Sequence, residues 1–209
     1  MLVTDLAPAL TIKRLGSVDY EATWLAMQTF TAQRGAQTND EIWLLQHPSV
    51  YTQGLAGKPE HLLTTSSIPV VKTDRGGQIT YHGPGQIVAY VLFDLKRKSI
   101  GVKELVKRID LGIIDTLAEF EIHAERKIGA PGVYVHGAKI AALGLRVKKG
   151  CSYHGLALNV AMDLSPYNAI NPCGYAGLQV TDLASLGVRA SIDSVMTALS
   201  KQLVTQLSL

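Results

Sequence analysis

The chain has 209 residues, of which 47% are hydrophobic and only 18% charged; that balance excludes a disordered polypeptide and allows a sizeable core. At this length one domain, residues 1–209, is expected, burying roughly 70% of the surface of the unfolded chain. A net charge of +3 is too mild for a nucleic-acid binder, and the short basic clusters are limited to Lys96-Arg97-Lys98 and Arg146 with Lys148-Lys149.

In chain order, Thr11 to Leu15 reads as a first strand. Tyr20, Trp24, Met27 and Phe30 then recur near helical spacing up to Arg34-Gly35. Ile42 to Leu45 is a short apolar strand stopped by His47-Pro48. Pro69-Val70-Val71 leads into a glycine-rich run, and Ile87 to Phe93 leads out of it. Val102 to Glu121 is a second helix, with Val102, Leu105, Val106, Ile109, Ile113, Leu117 and Phe120 on one face. Val133-Tyr134-Val135, Lys139 to Val147 and Tyr153 to Val160 are strands broken at His136-Gly137 and Lys149-Gly150, the pattern of an antiparallel meander. Ser191 to Leu207 closes the chain as a helix capped by Ser191. Strands come in clusters between long helices, so a mixed, largely antiparallel α/β architecture is favoured over a doubly wound one.

The densest signal is Arg75-Gly76-Gly77-Gln78-Ile79-Thr80-Tyr81-His82-Gly83-Pro84-Gly85-Gln86. Four glycines leave backbone open to close approach, while the side chains between them carry directional polar groups. Nucleotide motifs are missing: there is no G-x-x-x-x-G-K-[ST], and Val88 stands where a dinucleotide fingerprint needs its third glycine. Gly150-Cys151-Ser152-Tyr153-His154-Gly155 only faintly resembles a nucleophile elbow.

The remaining chemistry lies with thiols, one lysine and the imidazoles. Cys173 sits in the Pro/Gly-rich stretch Asn171-Pro172-Cys173-Gly174-Tyr175-Ala176-Gly177, where backbone N–H groups can face a thiolate or an oxyanion. A lone cysteine is otherwise a small buried hydrophobe. Cys151 follows Lys148 and Lys149, whose ammonium groups would lower its thiol pKa, although its place at the edge of a strand favours packing. Neither cysteine lies in a Cys-x-x-Cys pair or a zinc-type cluster, so free thiols and no metal are expected. Lys139 is followed by Ile140-Ala141-Ala142-Leu143-Gly144, which reads either as a surface strand lysine or as a desolvated amine able to act as a general base. His82 and His154 each precede a glycine and are expected to line one cleft with it. The N-terminal stretch has no signal-peptide pattern, and no apolar run approaches the ~20 residues of a membrane span. A cytoplasmic location without membrane partners is therefore expected.

Five blocks stand in order along the chain: His47-Pro48-Ser49-Val50-Tyr51-Thr52-Gln53-Gly54, the run from Arg75 to Gln86 with Tyr90, Gly137-Ala138-Lys139-Ile140-Ala141, His154-Gly155-Leu156-Ala157-Leu158-Asn159-Val160, and Asn171-Pro172-Cys173-Gly174. Together they resemble the lipoyl(octanoyl) transferase family, the octanoyl-acyl-carrier-protein:protein N-octanoyltransferases of lipoate biosynthesis. The resemblance spans about residues 39–187. It implies an α/β domain similar to the catalytic domains of biotin and lipoate protein ligases. It also implies that Cys173 is the acyl-accepting nucleophile and Lys139 its partner. The substrate-contacting positions it implies are Arg75, Gly76, Gly77, Gln78, Ile79, Thr80, Tyr81, His82, Ala142, Leu143, Gly144, Gly155, Leu156 and Ala157.

By the same resemblance the donor is octanoyl-acyl carrier protein and the acceptors are lipoyl domains of 2-oxoacid dehydrogenase E2 subunits and the glycine cleavage H protein. No cofactor is implied beyond the phosphopantetheine that carries the acyl group, and no ATP. Glycines would let an eight-carbon chain lie against bare backbone between Leu143, Leu156 and Ala157, with each buried methylene worth roughly 0.8 kcal/mol. Lys139 would both favour the thiolate and take the proton of the incoming amine, which requires its pKa to be pulled towards neutrality. The basic clusters are candidates for carrier docking or an ordinary solvated face. An ATP-dependent lipoate or biotin ligase is the main alternative. A non-catalytic carrier or lipoyl-domain binder and a thioester hydrolase stand behind it.

Overall fold

The computed structural model describes residues 9–175 and 177–208, without the side chain of Cys173. Among the described residues, ten strands are distributed over two sheets. The larger is built from β1 (Leu10–Ser17), β2 (Asp40–Gln46), β6 (Gln86–Leu92), β7 (Glu125–Lys127), β8 (Ala130–Val135), β9 (Ala138–Lys148) and β10 (Cys151–Asn159). Its spatial order is β1-β2-β6-β10-β9-β8-β7, with β1 parallel to β2 and every other pair antiparallel. The expected meander is therefore present as β8-β9-β10. A smaller sheet, not anticipated from the sequence, has the order β4-β3-β5 from β3 (Val50–Gln53), β4 (Val70–Lys72) and β5 (Ile79–His82).

β6 runs through the centre of the large sheet and is buried along its whole length. That explains its unbroken apolar sequence, since a strand covered on both faces has no solvent side to mark with polar residues. Ile87, Ala89 and Val91 face one core with α2 (Val102–Ala118) and α3 (Ile192–Leu207), through Leu105, Ile109, Ile113 and Leu117 of the first helix and Val195, Leu199 and Leu203 of the second. The alternate residues Val88, Tyr90 and Leu92 face a second core with Trp43, Leu45 and Met27, the last from α1 (Tyr20–Gln33).

The helix ends follow from local chemistry. Asp19 accepts a hydrogen bond from the Ala22 N–H at 2.9 Å, and Ser191 accepts one from the Ser194 N–H at 3.1 Å, so both helices start on side-chain caps. α2 stops at Ala118, short of the expected Glu121. The chain turns back there, with Glu121 at φ 60° and the Ile122 N–H bonded to the Leu117 carbonyl at 3.1 Å. No helix among the described residues is long and apolar enough to cross a membrane.

Candidate functional site

A cleft lies between the small sheet and the α1 side of the large one, with about 490 Å³ of unfilled space including its mouth. Ile79, Thr80 and His82 of β5 form one side; Val88, Tyr90, Ala142, Leu143, Gly144, Gly155, Leu156 and Ala157 from β6, β9 and β10 form the other. Arg75, Gly77 and Gln78 complete the lining with Tyr20 and His154. Twelve of the fourteen expected substrate-contacting residues thus meet around one cavity: Arg75, Gly77, Gln78, Ile79, Thr80, His82, Ala142, Leu143, Gly144, Gly155, Leu156 and Ala157. Tyr81 does not join them; it packs with Tyr51, Tyr167 and Ile170, and its hydroxyl lies 2.9 Å from Ser49 Oγ. Gly76 is also outside the lining, and its N–H donates to the Leu145 carbonyl at 2.9 Å.

The glycines serve the protein's own packing at several positions. A Cβ at Gly155 would lie 2.0 Å from the Ala89 carbonyl oxygen of the neighbouring strand, and one at Gly85 would lie 1.9 Å from the Ala161 oxygen. Gly54 is equally hemmed in, with the Gly77 oxygen 2.4 Å from its would-be Cβ. These glycines let backbone meet backbone. At Gly144 the nearest atom is the Gly76 oxygen at 3.1 Å, so this position, on the cavity wall, is less tightly constrained.

Arg75 is buried and holds the loop in shape. Its Nε donates to Thr52 Oγ1 at 3.0 Å, its Nη2 to the Gln78 carbonyl at 2.7 Å and its Nη1 to the Gly76 carbonyl at 2.9 Å. Thr52 Oγ1 lies 3.3 Å from His82 Nε2, and His82 Nδ1 lies 2.7 Å from Gln86 Oε1. Gln86 Nε2 donates to Asn159 Oδ1 at 2.9 Å, and Asn159 Nδ2 donates to the Thr181 carbonyl at 2.9 Å. The Thr181 N–H in turn donates to the Lys139 carbonyl at 3.0 Å. A continuous polar chain therefore joins the loop to the strand of the candidate lysine.

The titratable rings around the cleft are held neutral. Burial, helped by nearby His47, pulls His82 down to about 3, and burial also lowers His47 and His154. Burial raises the phenols of Tyr20 and Tyr90. Asp74 is the exception: burial alone would raise it, but hydrogen bonds from His154, Tyr153 and Trp24 hold its carboxyl well below the usual range. His154 adopts φ 60° within β10, and its Nδ1 is buried without a hydrogen-bond partner.

A second, smaller cavity is lined by Thr80, Lys139, Ala141, Ala142, Asn159, Tyr167, Pro172 and Val180. Thr80 and Ala142 line both cavities. Lys139 is only 3% exposed, so it is not the surface strand lysine of the first of its two sequence readings. Its Nζ donates to the Pro131 carbonyl at 3.0 Å and lies 5.3 Å from the centre of the Tyr134 ring. Gly132 makes the room for it, because a Cβ there would come within 3.2 Å of Lys139 Cε. Pro172, in the same cavity, opens the turn Pro172–Gly174 that carries Cys173. The Cys173 side chain lies outside the described residues. Gly174 abuts Gln78 of the cleft, with a would-be Cβ 3.1 Å from Gln78 Cγ. The Gly174 and Tyr175 N–H groups are not open to a ligand, since they bond to the Asn171 and Pro172 carbonyls.

Cys151 behaves differently from the expectation that its lysines lower its pKa. Its thiol is free, and burial, followed by Asp94, pushes its pKa up. Lys96-Arg97-Lys98 is not a free basic face either. Arg97 Nη2 lies 2.7 Å and Lys98 Nζ 3.8 Å from the buried carboxylate of Asp40. Sequence reasoning missed Tyr20, whose helical spacing reads as ordinary core, and Asp74, whose partners lie far away along the chain.

The model of the lipoyl protein ligase A/B catalytic domain matches residues 19–204. An octanoyltransferase of Chromobacterium violaceum is 61% identical over 197 residues, covering 94% of this chain and 95% of that protein. Among solved structures, a lipoate-protein ligase A bound with ATP superposes with a TM-score of 0.77 at 15% identity, over 97% of this chain and 86% of that one. A biotin protein ligase from Aquifex aeolicus in complex with biotin and ATP gives a TM-score of 0.61 at 14% identity, over 95% and 70% of the two chains. These two likenesses bear out the expected mixed α/β architecture. By its family match and its relatives, the chain belongs to the lipoyl protein ligase A/B catalytic-domain family and, within it, to the octanoyltransferases, which are acyltransferases.

Proposed function

We propose that this chain carries an octanoyl group from octanoyl-acyl carrier protein, by way of a thioester on Cys173, to a lysine of lipoyl domains such as those of 2-oxoacid dehydrogenase E2 subunits and the glycine cleavage H protein. The observation that carries this reading is the junction of the two cavities. An apolar cleft shares Thr80 and Ala142 with the cavity of buried Lys139, and that cavity is walled by the first residue of the Cys173 turn.

In the first step the Cys173 thiolate attacks the thioester carbonyl carbon; a new C–S bond forms, the bond to the carrier's sulfur breaks, and that sulfur leaves with the proton of the Lys139 ammonium, which becomes a neutral amine. In the second the acceptor amine attacks the same carbonyl, an amide forms, and Cys173 is released. Lys139 takes the proton that the amine loses. One thioester is exchanged for another and then for a more stable amide, so the sequence needs neither ATP nor another cofactor. A cytoplasmic setting with reduced thiols suits this chemistry.

Intact-mass measurement tests the reading. Incubation with octanoyl-acyl carrier protein should add one octanoyl group, and an apo lipoyl domain should then remove it. Cys173→Ser and Lys139→Ala should each abolish transfer while the fold persists. A stable adduct mapped to Cys151 would overturn the assignment of the nucleophile. Transfer that depends on ATP and survives Cys173→Ser would favour the ligase reading suggested by the fold's ATP-bound neighbours.

A further inference from the structure

The cleft has two unlike ends. Near Lys139 it is bounded by small side chains, Thr80 and Ala142. Tyr90 and His154 flank Gly155, which pairs with Gly144 in β9. Gly144 lies five residues beyond Lys139 on that strand, so Tyr90 and His154 stand further along the sheet than the lysine. Tyr90 and His154 stand at this far end, and His82, two residues beyond Thr80 in β5, carries the aromatic lining towards them with Tyr20. Tyr90 sits edge-on to His154 with centroids 6.0 Å apart, and Tyr20 stacks on His82 at 6.0 Å and 12°. His47 lies behind and between them, 5.2 Å from the Tyr20 ring and 5.9 Å from Tyr90.

Each ring of this wall is tied to protein partners. The Tyr20 hydroxyl donates to Thr73 Oγ1 at 3.2 Å. The Tyr90 hydroxyl lies 2.7 Å from His47 Nε2, whose Nδ1 is in turn 2.7 Å from the Val18 carbonyl. His154 Nε2 is held by Asp74 at 3.0 Å and His82 by Gln86 and Thr52. Fixed behind, the rings offer the cavity mainly carbon and cannot swing aside without breaking a buried hydrogen bond.

We propose that this tethered wall, closed at its far end by Tyr90 and His154 and continued by Tyr20 and His82, is the acyl-length stop of the enzyme: it meets the methyl end of an eight-carbon chain and excludes longer ones. The inference rests on the cleft being the acyl pocket. A rigid stop discriminates where a soft apolar pocket does not, because an extra methylene in an open pocket would simply add burial.

The test compares kcat/KM of the full chain for hexanoyl-, octanoyl- and decanoyl-acyl carrier protein in the wild type and in Tyr90→Ala. Tyr20→Ala serves as the second variant should the first fail to fold, as judged by circular dichroism and melting temperature. Opening the wall should raise the decanoyl-to-octanoyl ratio by about tenfold, the gain from two further methylenes leaving water, while the hexanoyl-to-octanoyl ratio does not rise. Octanoyl transfer by the wild type with unchanged length ratios in a folded variant would overturn the wall alone. No acyl transfer of any length by the wild type would overturn the reading of the cleft and the wall with it.

Discussion

His154 Nε2 lies 3.0 Å from Asp74 Oδ1, so a strand residue at φ 60° is pinned to the loop that leads into Arg75. The same carboxylate accepts from Trp24 Nε1 at 2.8 Å and from the Tyr153 hydroxyl, tying α1, the loop and β10 together. A single carboxylate with several donors has no uncharged equivalent, because an amide offers one acceptor oxygen and brings donors of its own. Asp74→Asn should therefore cost about 1–3 kcal/mol in urea unfolding, the usual penalty for stranding a buried donor. Gln28→Ala, which removes only a 3.3 Å contact to the same carboxylate, should cost less than half as much. Equal losses in the two variants would remove Asp74 from its place as the joint of the three elements.

Gly132 has φ 123°, and a Cβ there would sit 2.6 Å from the Ala141 carbonyl oxygen as well as against Lys139 Cε. Neither obstacle is easily relieved, since one is backbone and the other a buried side chain. Gly132→Ala should lower stability by about 2 kcal/mol or more and reduce acyl transfer through displacement of Lys139. Gly137→Ala is the comparison: it too has positive φ, but the nearest atom is the flexible Lys127 Nζ at 3.8 Å. A Gly132→Ala protein as stable and as active as Gly137→Ala would show that Lys139 needs no such clearance.

Features confined to one segment were legible in the sequence. The apolar run of β6, the Ser191 cap and the meander from β8 to β10 each rest on local pattern, and each is present. The small sheet was not legible, because β4 has three residues and β5 four, too few for alternation to register. The glycine-rich run announced a site, yet could not say which glycines face a ligand and which face protein; only the partner strand tells Gly155 from Gly144. Asp74 meets Trp24, Tyr153 and His154 across 50 to 80 positions of sequence, and no local pattern encodes such a meeting.

Asp40 is 1% exposed and gathers Arg34 at 2.5 Å, Arg97 at 2.7 Å and Lys98 at 3.8 Å. It also accepts from the Asp94 N–H at 2.9 Å. Arg34 has the most to lose, because its side chain is only 4% exposed and has no route to water. Asp40→Asn should cost about 3–5 kcal/mol, measured by chemical denaturation, by leaving cations buried without their counter-charge. Arg97→Ala, at a half-open position, should cost about 1 kcal/mol or less. Losses below about 1 kcal/mol in both variants would show that Asp40 does not hold these cations, and would return the Lys96-Arg97-Lys98 cluster to the candidates for carrier docking.

The buried imidazoles make stability depend on pH. His82 is held at about 3 against an ordinary 6.5, so between those values the unfolded chain binds a proton that the folded one does not. Stability then rises with pH across that window, and is lost as pH falls through it. His47 and His154 are shifted in the same direction by burial and add to the slope below 6.5. Asp74, held low, has the same sign at lower pH: its contribution is present above the ordinary carboxylate value of 3.8 and disappears on further acidification. Each histidine kept neutral supplies up to about 1.4 kcal/mol per pH unit, so denaturant unfolding should show a marked loss between pH 7 and pH 5. His82→Gln cannot take up a proton and should lose less over the same interval, whatever its stability at pH 7. A variant with the same pH dependence as the wild type would show that His82 is not among the groups that titrate on unfolding.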